Sequence, residues 1–115
     1  MDSVRYWRDG EYLCAANLTG RRHNTLHLRL ADAAHAPAQP AIACLPPAGP
    51  CGHAPLDAAQ VRRFVLEGVD TANRTLGTRF AVAQVRYFED DMPPEVVYGM
   101  LALLILQRWH GGGYA

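Results

Sequence analysis

Residues 23–31, His23-Asn24-Thr25-Leu26-His27-Leu28-Arg29-Leu30-Ala31, carry the clearest alternation in the chain. Leu26, Leu28 and Leu30 fall on one side of an extended strand, and His27 and Arg29 on the other, because successive strand side chains point to opposite faces. One apolar side and one polar side predict a sheet with a single buried face. The residues before it read as a meander leading into this strand. Residues 3–8 form a first strand, Asp9-Gly10 supplies the positive-φ positions of a type I′ hairpin turn, and residues 11–18 form the partner. Thr19-Gly20 then turns the chain into residues 23–31.

Working forward, residues 33–54 hold five prolines and eight alanines among 22 residues. Proline at that density removes helix and ladder hydrogen bonds, so a long mobile loop with polyproline character is expected, pinned at its middle by Ile42 and Leu45. Residues 56–76 read as an amphipathic helix. Pro55 and Asp57 mark its start, and Gly77 marks its stop. Val61, Phe64, Val65, Gly68, Val69, Ala72 and Leu76 make its apolar stripe, while Arg62, Arg63, Asp70 and Asn73 take the other face. Gly68 costs about 1 kcal/mol in a helix relative to Ala, which predicts a close approach between helix and strand there. Residues 79–88 form a fourth strand with apolar residues on both faces, as expected of a central position, with Gln84 and Arg86 making one face amphipathic. Asp91 caps a last helix over about residues 93–109, and Gly111-Gly112-Gly113 ends it.

These elements predict an α+β fold: a two-layer sandwich of order β-β-β-α-β-α, with a four-stranded, mostly antiparallel sheet and two helices on one face. Residues 1–115 form a single domain in this reading, with a flexible glycine-rich tail over 111–115. The expected core comprises Leu26, Leu28, Leu30, Phe64, Val65, Gly68, Val69, Ala72, Leu76, Val82, Val85, Leu101 and Leu104.

Composition narrows the function. At 115 residues the chain has the size of one domain. Eleven basic residues meet eleven acidic ones, so the net charge is zero, which argues against a strong electrostatic field for nucleic acid and against a polybasic membrane anchor. Every basic residue is arginine. Schiff-base lysine chemistry and a Walker-type phosphate loop are excluded with it. Met1-Asp2-Ser3-Val4-Arg5 shows no secretory leader, and the apolar run 96–106 is too short for a bilayer. Cys14, Cys44 and Cys51 make an odd count, in keeping with a reducing compartment, so a cytoplasmic location without membrane contact is expected.

The chemistry-bearing residues are scattered. His35, Cys44, Cys51 and His53 are zinc-type ligands, but the Cys-x6-Cys-x-His spacing is not that of a zinc knuckle, and no cofactor is expected. Cys14 and His27 lie on neighbouring strands where a thiol–imidazole approach is conceivable. Glu89, Asp90, Asp91 and Glu95 form an acidic turn, which capping and the helix dipole account for. Arg74, Arg79 and Arg86 are available to pair with it.

The last helix carries most of the functional expectation. Val96-Val97-Tyr98-Gly99-Met100-Leu101-Ala102-Leu103-Leu104-Ile105-Leu106 is apolar around its whole circumference. A two-layer domain buries only about half of a helix, so the outer half predicts an interface with a second copy or another protein. Tyr98, Leu103, Ile105, Leu106 and Trp109 are the expected interface residues, with Tyr114 nearby. The chain thus reads as a non-catalytic protein-interaction module. A small enzyme or ligand- or metal-binding domain is the alternative, its site lying between the 33–54 loop and the acidic turn 89–95 and using His35, Cys51 or His53 with Asp90 or Asp91. A second alternative is a nucleic-acid-binding module using Arg5, Arg21, Arg22, Arg29 and Arg86 on the open sheet face.

The order three strands, helix, strand, helix resembles domain four of elongation factor G and the ribosomal-protein domain sharing its two-layer sandwich, across nearly the whole chain. That family usually joins helix to strand by a Gly-rich turn followed by Gly-Tyr-Pro. Leu76-Gly77-Thr78-Arg79-Phe80 stands there instead, without a Tyr-Pro pair, so the resemblance implies the fold and neither the translocation role nor any functional residue. Leu76-Gly77-Thr78 followed by Asp91-Met92-Pro93-Pro94-Glu95-Val96-Val97-Tyr98 also resembles small bacterial proteins of unassigned function, which implies no activity.

Overall fold

A computed structural model describes residues 3–19, 22–32, 34, 36–46, 56–88 and 95–114. The three leading strands are β1 (Ser3–Asp9), β2 (Tyr12–Thr19) and β3 (Arg22–Ala31), paired antiparallel as a meander. The first hairpin departs from the expected turn. Asp9 pairs with Tyr12, leaving Gly10-Glu11 as the two-residue loop, and Gly10 alone has positive φ, at 60°. That is the II′ pattern, which needs glycine only at its first loop position.

The 33–54 segment is not all loop. Residues Ala41–Leu45 form β4, a short strand parallel to β5 (Ala81–Phe88). The sheet therefore has five strands in the order β1-β2-β3-β5-β4, and it is mixed where four mostly antiparallel strands were expected. Between Pro40 and Pro46 lie five residues free of proline, enough for one edge strand, where the prolines at either end cost no ladder bond. β5 sits between β3 and β4, the central position its two apolar faces predict.

Two helices, α1 (Ala58–Leu76) and α2 (Val97–His110), pack on one face of the sheet. Asp57 is the N-cap of α1, accepting from the Ala59 amide at 2.9 Å, and Gly77 closes it in the left-handed conformation at φ 69°. Asp91 lies outside the described residues. The core joins Leu13, Leu26, Leu28 and Val85 of the sheet to Val61, Val65, Leu101 and Ile105 of the helices. Leu30, Phe64, Leu76 and Leu104 are only half-buried, and the β3–β5 pairing shifts register at Arg29/Leu30.

Gly68 marks a helix–helix crossing, not the helix–strand approach expected of it. A Cβ there would run into the Gly99 carbonyl and lie 3.1 Å from the Ala102 Cβ. Asn73, assigned by the helical pattern to a solvent face, is a structural tie. Its side chain donates to the Phe80 carbonyl at 3.0 Å and accepts from the Phe80 amide at 2.8 Å and the Thr78 hydroxyl at 2.9 Å, fixing the α1–β5 turn. The tail is anchored as far as Tyr114, whose hydroxyl donates to the Cys14 carbonyl at 3.0 Å and whose ring meets Tyr6 edge-on. No helix among the described residues is long and apolar enough to cross a membrane.

Candidate functional site

Two surfaces carry side chains beyond what the fold requires. The first is the sheet face opposite the helices. Register places Trp7, Cys14, His27, Arg86 and Ala43 in one row across five strands, with Asp9, Tyr12, Arg29, Gln84 and Ala41 in the next. His27 was expected in solvent, yet it is only 5% exposed. Rings from three other strands surround it: Trp7 at 5.8 Å, Tyr12 at 6.3 Å and Phe88 at 5.6 Å between centroids. Alternation reveals which side a residue takes; it does not reveal that aromatic neighbours on adjacent strands will close over it.

Arg86 organises this cluster. Its guanidinium donates to His27 Nδ1 from Nε at 3.2 Å, approaches the same atom with Nη2 at 2.8 Å, donates to Asp9 Oδ2 at 2.8 Å and lies 3.6 Å over the Tyr12 ring. The Tyr12 hydroxyl in turn donates to Gln84 Oε1 at 2.6 Å. Burial first, and the Arg86 cation second, push the His27 imidazole down to about 4. At neutral pH it is therefore uncharged, accepts at Nδ1 and carries its proton on Nε2. That Nε2 is buried with no hydrogen-bond partner.

The same physics disarms the Cys14–His27 pair as a nucleophile. The two residues are directly opposed on β2 and β3. Burial first, then the Asp9 charge, push the Cys14 thiol up to about 12, and its S–H lies 3.7 Å from the Tyr12 carbonyl. A cysteine nucleophile needs a thiolate beside a basic or protonated imidazole. Here the thiol stays protonated and the imidazole neutral and weakly basic.

His35, Cys51, His53, Glu89, Asp90 and Asp91 lie outside the described residues. Cys44 is exposed on the edge strand β4. Among the described residues no group of three or more His, Cys, Asp or Glu is placed to hold a metal ion. Among the described residues Arg74 pairs with Asp70 and Arg86 with Asp9.

The second surface is the outside of the helix layer. Of the five residues expected at an interface, Tyr98, Ile105 and Leu106 are fully buried within the chain itself, because α2 is wedged between the sheet and α1. Trp109 is partly covered by Arg8, whose guanidinium sits 5.6 Å over its ring. Leu103 remains half-exposed. It joins Phe64, Val96, Gly99 and Met100 in a mainly apolar groove of about 330 Å³ between the two helices, lined also by Gly68, Glu67 and Thr71. Val96 is 53% and Met100 38% exposed, both large apolar side chains in water. A separate depression on the outer side of α1, between Gln39 and Arg62, is lined largely by charged residues, among them the Arg63–Glu67 pair at 3.5 Å.

Comparison with protein-family models, curated proteins and solved structures finds no match for the chain. The class rests on fold and surfaces alone: an α+β sandwich with a mixed five-stranded sheet, one aromatic–arginine sheet face and one apolar helix groove.

Proposed function

We propose that the protein is a non-catalytic interaction module that associates through the groove between α1 and α2. The observation that carries this reading is the row of exposed Val96 and Met100 and half-exposed Leu103 beside Gly99 and Gly68. Apolar side chains standing next to an apolar hollow suit burial against another protein surface. Projections and hollow on one patch also suit a twofold pairing, in which each copy supplies both. A second copy of the chain is therefore the proposed partner. The disarmed Cys14–His27 pair supports a non-catalytic role. The free, buried Cys14 thiol and the odd cysteine count support a reducing compartment, and the cytoplasm is the proposed location.

The test is sedimentation over a range of concentrations for the wild type and for Met100→Glu. The wild type is expected to associate. The variant is expected to remain monomeric with an unchanged far-ultraviolet spectrum, because a carboxylate desolvated in an apolar interface is costly. A wild type that stays monomeric at every concentration, or a variant that associates equally well, overturns the reading.

A further inference from the structure

The sheet face takes no part in that association, and its chemistry points elsewhere. Three rings from three strands, Trp7, Tyr12 and Phe88, gather around His27, and Trp7 is 38% exposed. Among the described residues, the charged ones that register places on this face are Arg5, Arg29 and Arg86 against Asp9, a balance of plus two on the strands although the whole chain is neutral. Asp9 is already paired with Arg86, and neither Arg5 nor Arg29 has an ion-pair partner among the described residues. Ala16, Ala41 and Ala43 keep the rest of the face flat.

One further observation asks for a ligand. His27 Nε2 is a buried donor whose surroundings are aromatic rings, with no acceptor in reach. A buried donor left unmade is unfavourable. The partly exposed Trp7 ring packs edge-on against the His27 ring from the edge strand, 5.8 Å between centroids, and is the outermost ring of the cluster with a face in water.

We propose that this face binds single-stranded nucleic acid. A base stacks against Trp7 and presents a carbonyl oxygen or ring nitrogen to the His27 Nε2–H, while Arg5 and Arg29 take the flanking phosphates. Stacking needs an unpaired base, because a duplex hides its ring faces. Two phosphate contacts, without sequence-reading groups, give weak, salt-sensitive and sequence-tolerant binding.

The experiment uses a Trp109→Phe chain, in which Trp7 is the only tryptophan. It is titrated with fluorescently labelled oligothymidylate and with a duplex of equal length. Trp7 emission is expected to quench and the anisotropy of the single strand to rise, with the duplex bound much more weakly. With about 0.7 counterions released per contact and two contacts, affinity falls about sevenfold between about 50 and about 200 mM salt. Trp7→Ala is expected to weaken binding roughly tenfold or more. Arg29→Ala, a surface change that leaves the fold intact by thermal melt, is expected to weaken binding and roughly halve the salt slope. Met100→Glu, on the opposite side of the molecule, leaves binding unchanged, which separates this surface from the helix groove. Absence of binding at low salt overturns the proposal. So does duplex binding as tight as single-strand binding, or binding indifferent to both Trp7→Ala and Arg29→Ala.

Discussion

Replacing Gly68 by alanine should destabilise the protein even though alanine is the better helix former. In an exposed helix this change gains about 1 kcal/mol. At Gly68 the new methyl would collide with the Gly99 carbonyl oxygen, lie 3.0 Å from its carbonyl carbon and 3.1 Å from the Ala102 Cβ. Those are backbone and near-backbone atoms of α2 and cannot rotate away. The two helices must part across a contact that also holds Val65, Leu101 and Ala102 in the core. Overpacking of this kind costs roughly 1–3 kcal/mol, and immovable neighbours put it near the upper end. After the propensity gain, a net loss of about 1–2 kcal/mol remains. For a chain of this size that lowers Tm by about 4–8 °C. Gly77→Ala is the contrasting control. Its space is open, so any loss there comes from the left-handed backbone at φ 69° and amounts to roughly 1–2 kcal/mol. Urea and thermal unfolding of both variants measure these values. A Gly68→Ala protein as stable as the wild type, or more so, would show that helix propensity wins and that the helices do not cross at Gly68.

Further outcomes follow from the sheet and the turns. His27 titrates near 4 in the folded chain against 6.5 as its ordinary value, so the unfolded chain binds its proton first as pH falls. Stability is therefore full above pH ~6.5, drops by roughly 2–3 kcal/mol on acidification to pH ~4 and stays level below it, as far as this group is concerned; His27→Gln should remove that component from urea unfolding measured across the range. Iodoacetamide should alkylate the exposed Cys44 in the native protein and reach Cys14 only after unfolding, as read by peptide mass mapping. Asn73→Ala removes three hydrogen bonds at the α1–β5 turn and strands the Phe80 amide, for a loss of about 2–4 kcal/mol in unfolding free energy.

Much of this fold is legible along the chain because it rests on local periodicity. The alternation at Leu26, Leu28 and Leu30 marks β3, the spacing of Val61, Val65, Val69 and Ala72 marks α1, and Gly77 marks its end. What escapes the sequence depends on neighbours distant along it. β4 is a five-residue edge strand whose formation needs β5 beside it, and proline content masks it. Asn73 is polar on a polar helix face, and only the folding back of Thr78 and Phe80 gives it three partners. The all-round apolarity of α2 does signal burial on more than one side. The second side proves to be α1 crossing at Gly68 and Gly99, so Tyr98, Ile105 and Leu106 go inward, while Val96, Met100 and Leu103 keep an outward aspect beside the groove. The His27 cluster draws on β1, β2, β3 and β5 at once, residues up to 81 positions apart, from Trp7 to Phe88, which no local pattern encodes.

The groove between α1 and α2 can be watched directly through one side chain. The chain has three methionines, Met1, Met92 and Met100, and Met100 lines the groove. With the methionine methyls labelled with carbon-13, the Met100 signal should shift or broaden as protein concentration rises, and Leu103→Glu should abolish that response while the signal keeps its dispersion. A Met100 signal that stays unchanged from dilute to concentrated protein would contradict association through this groove.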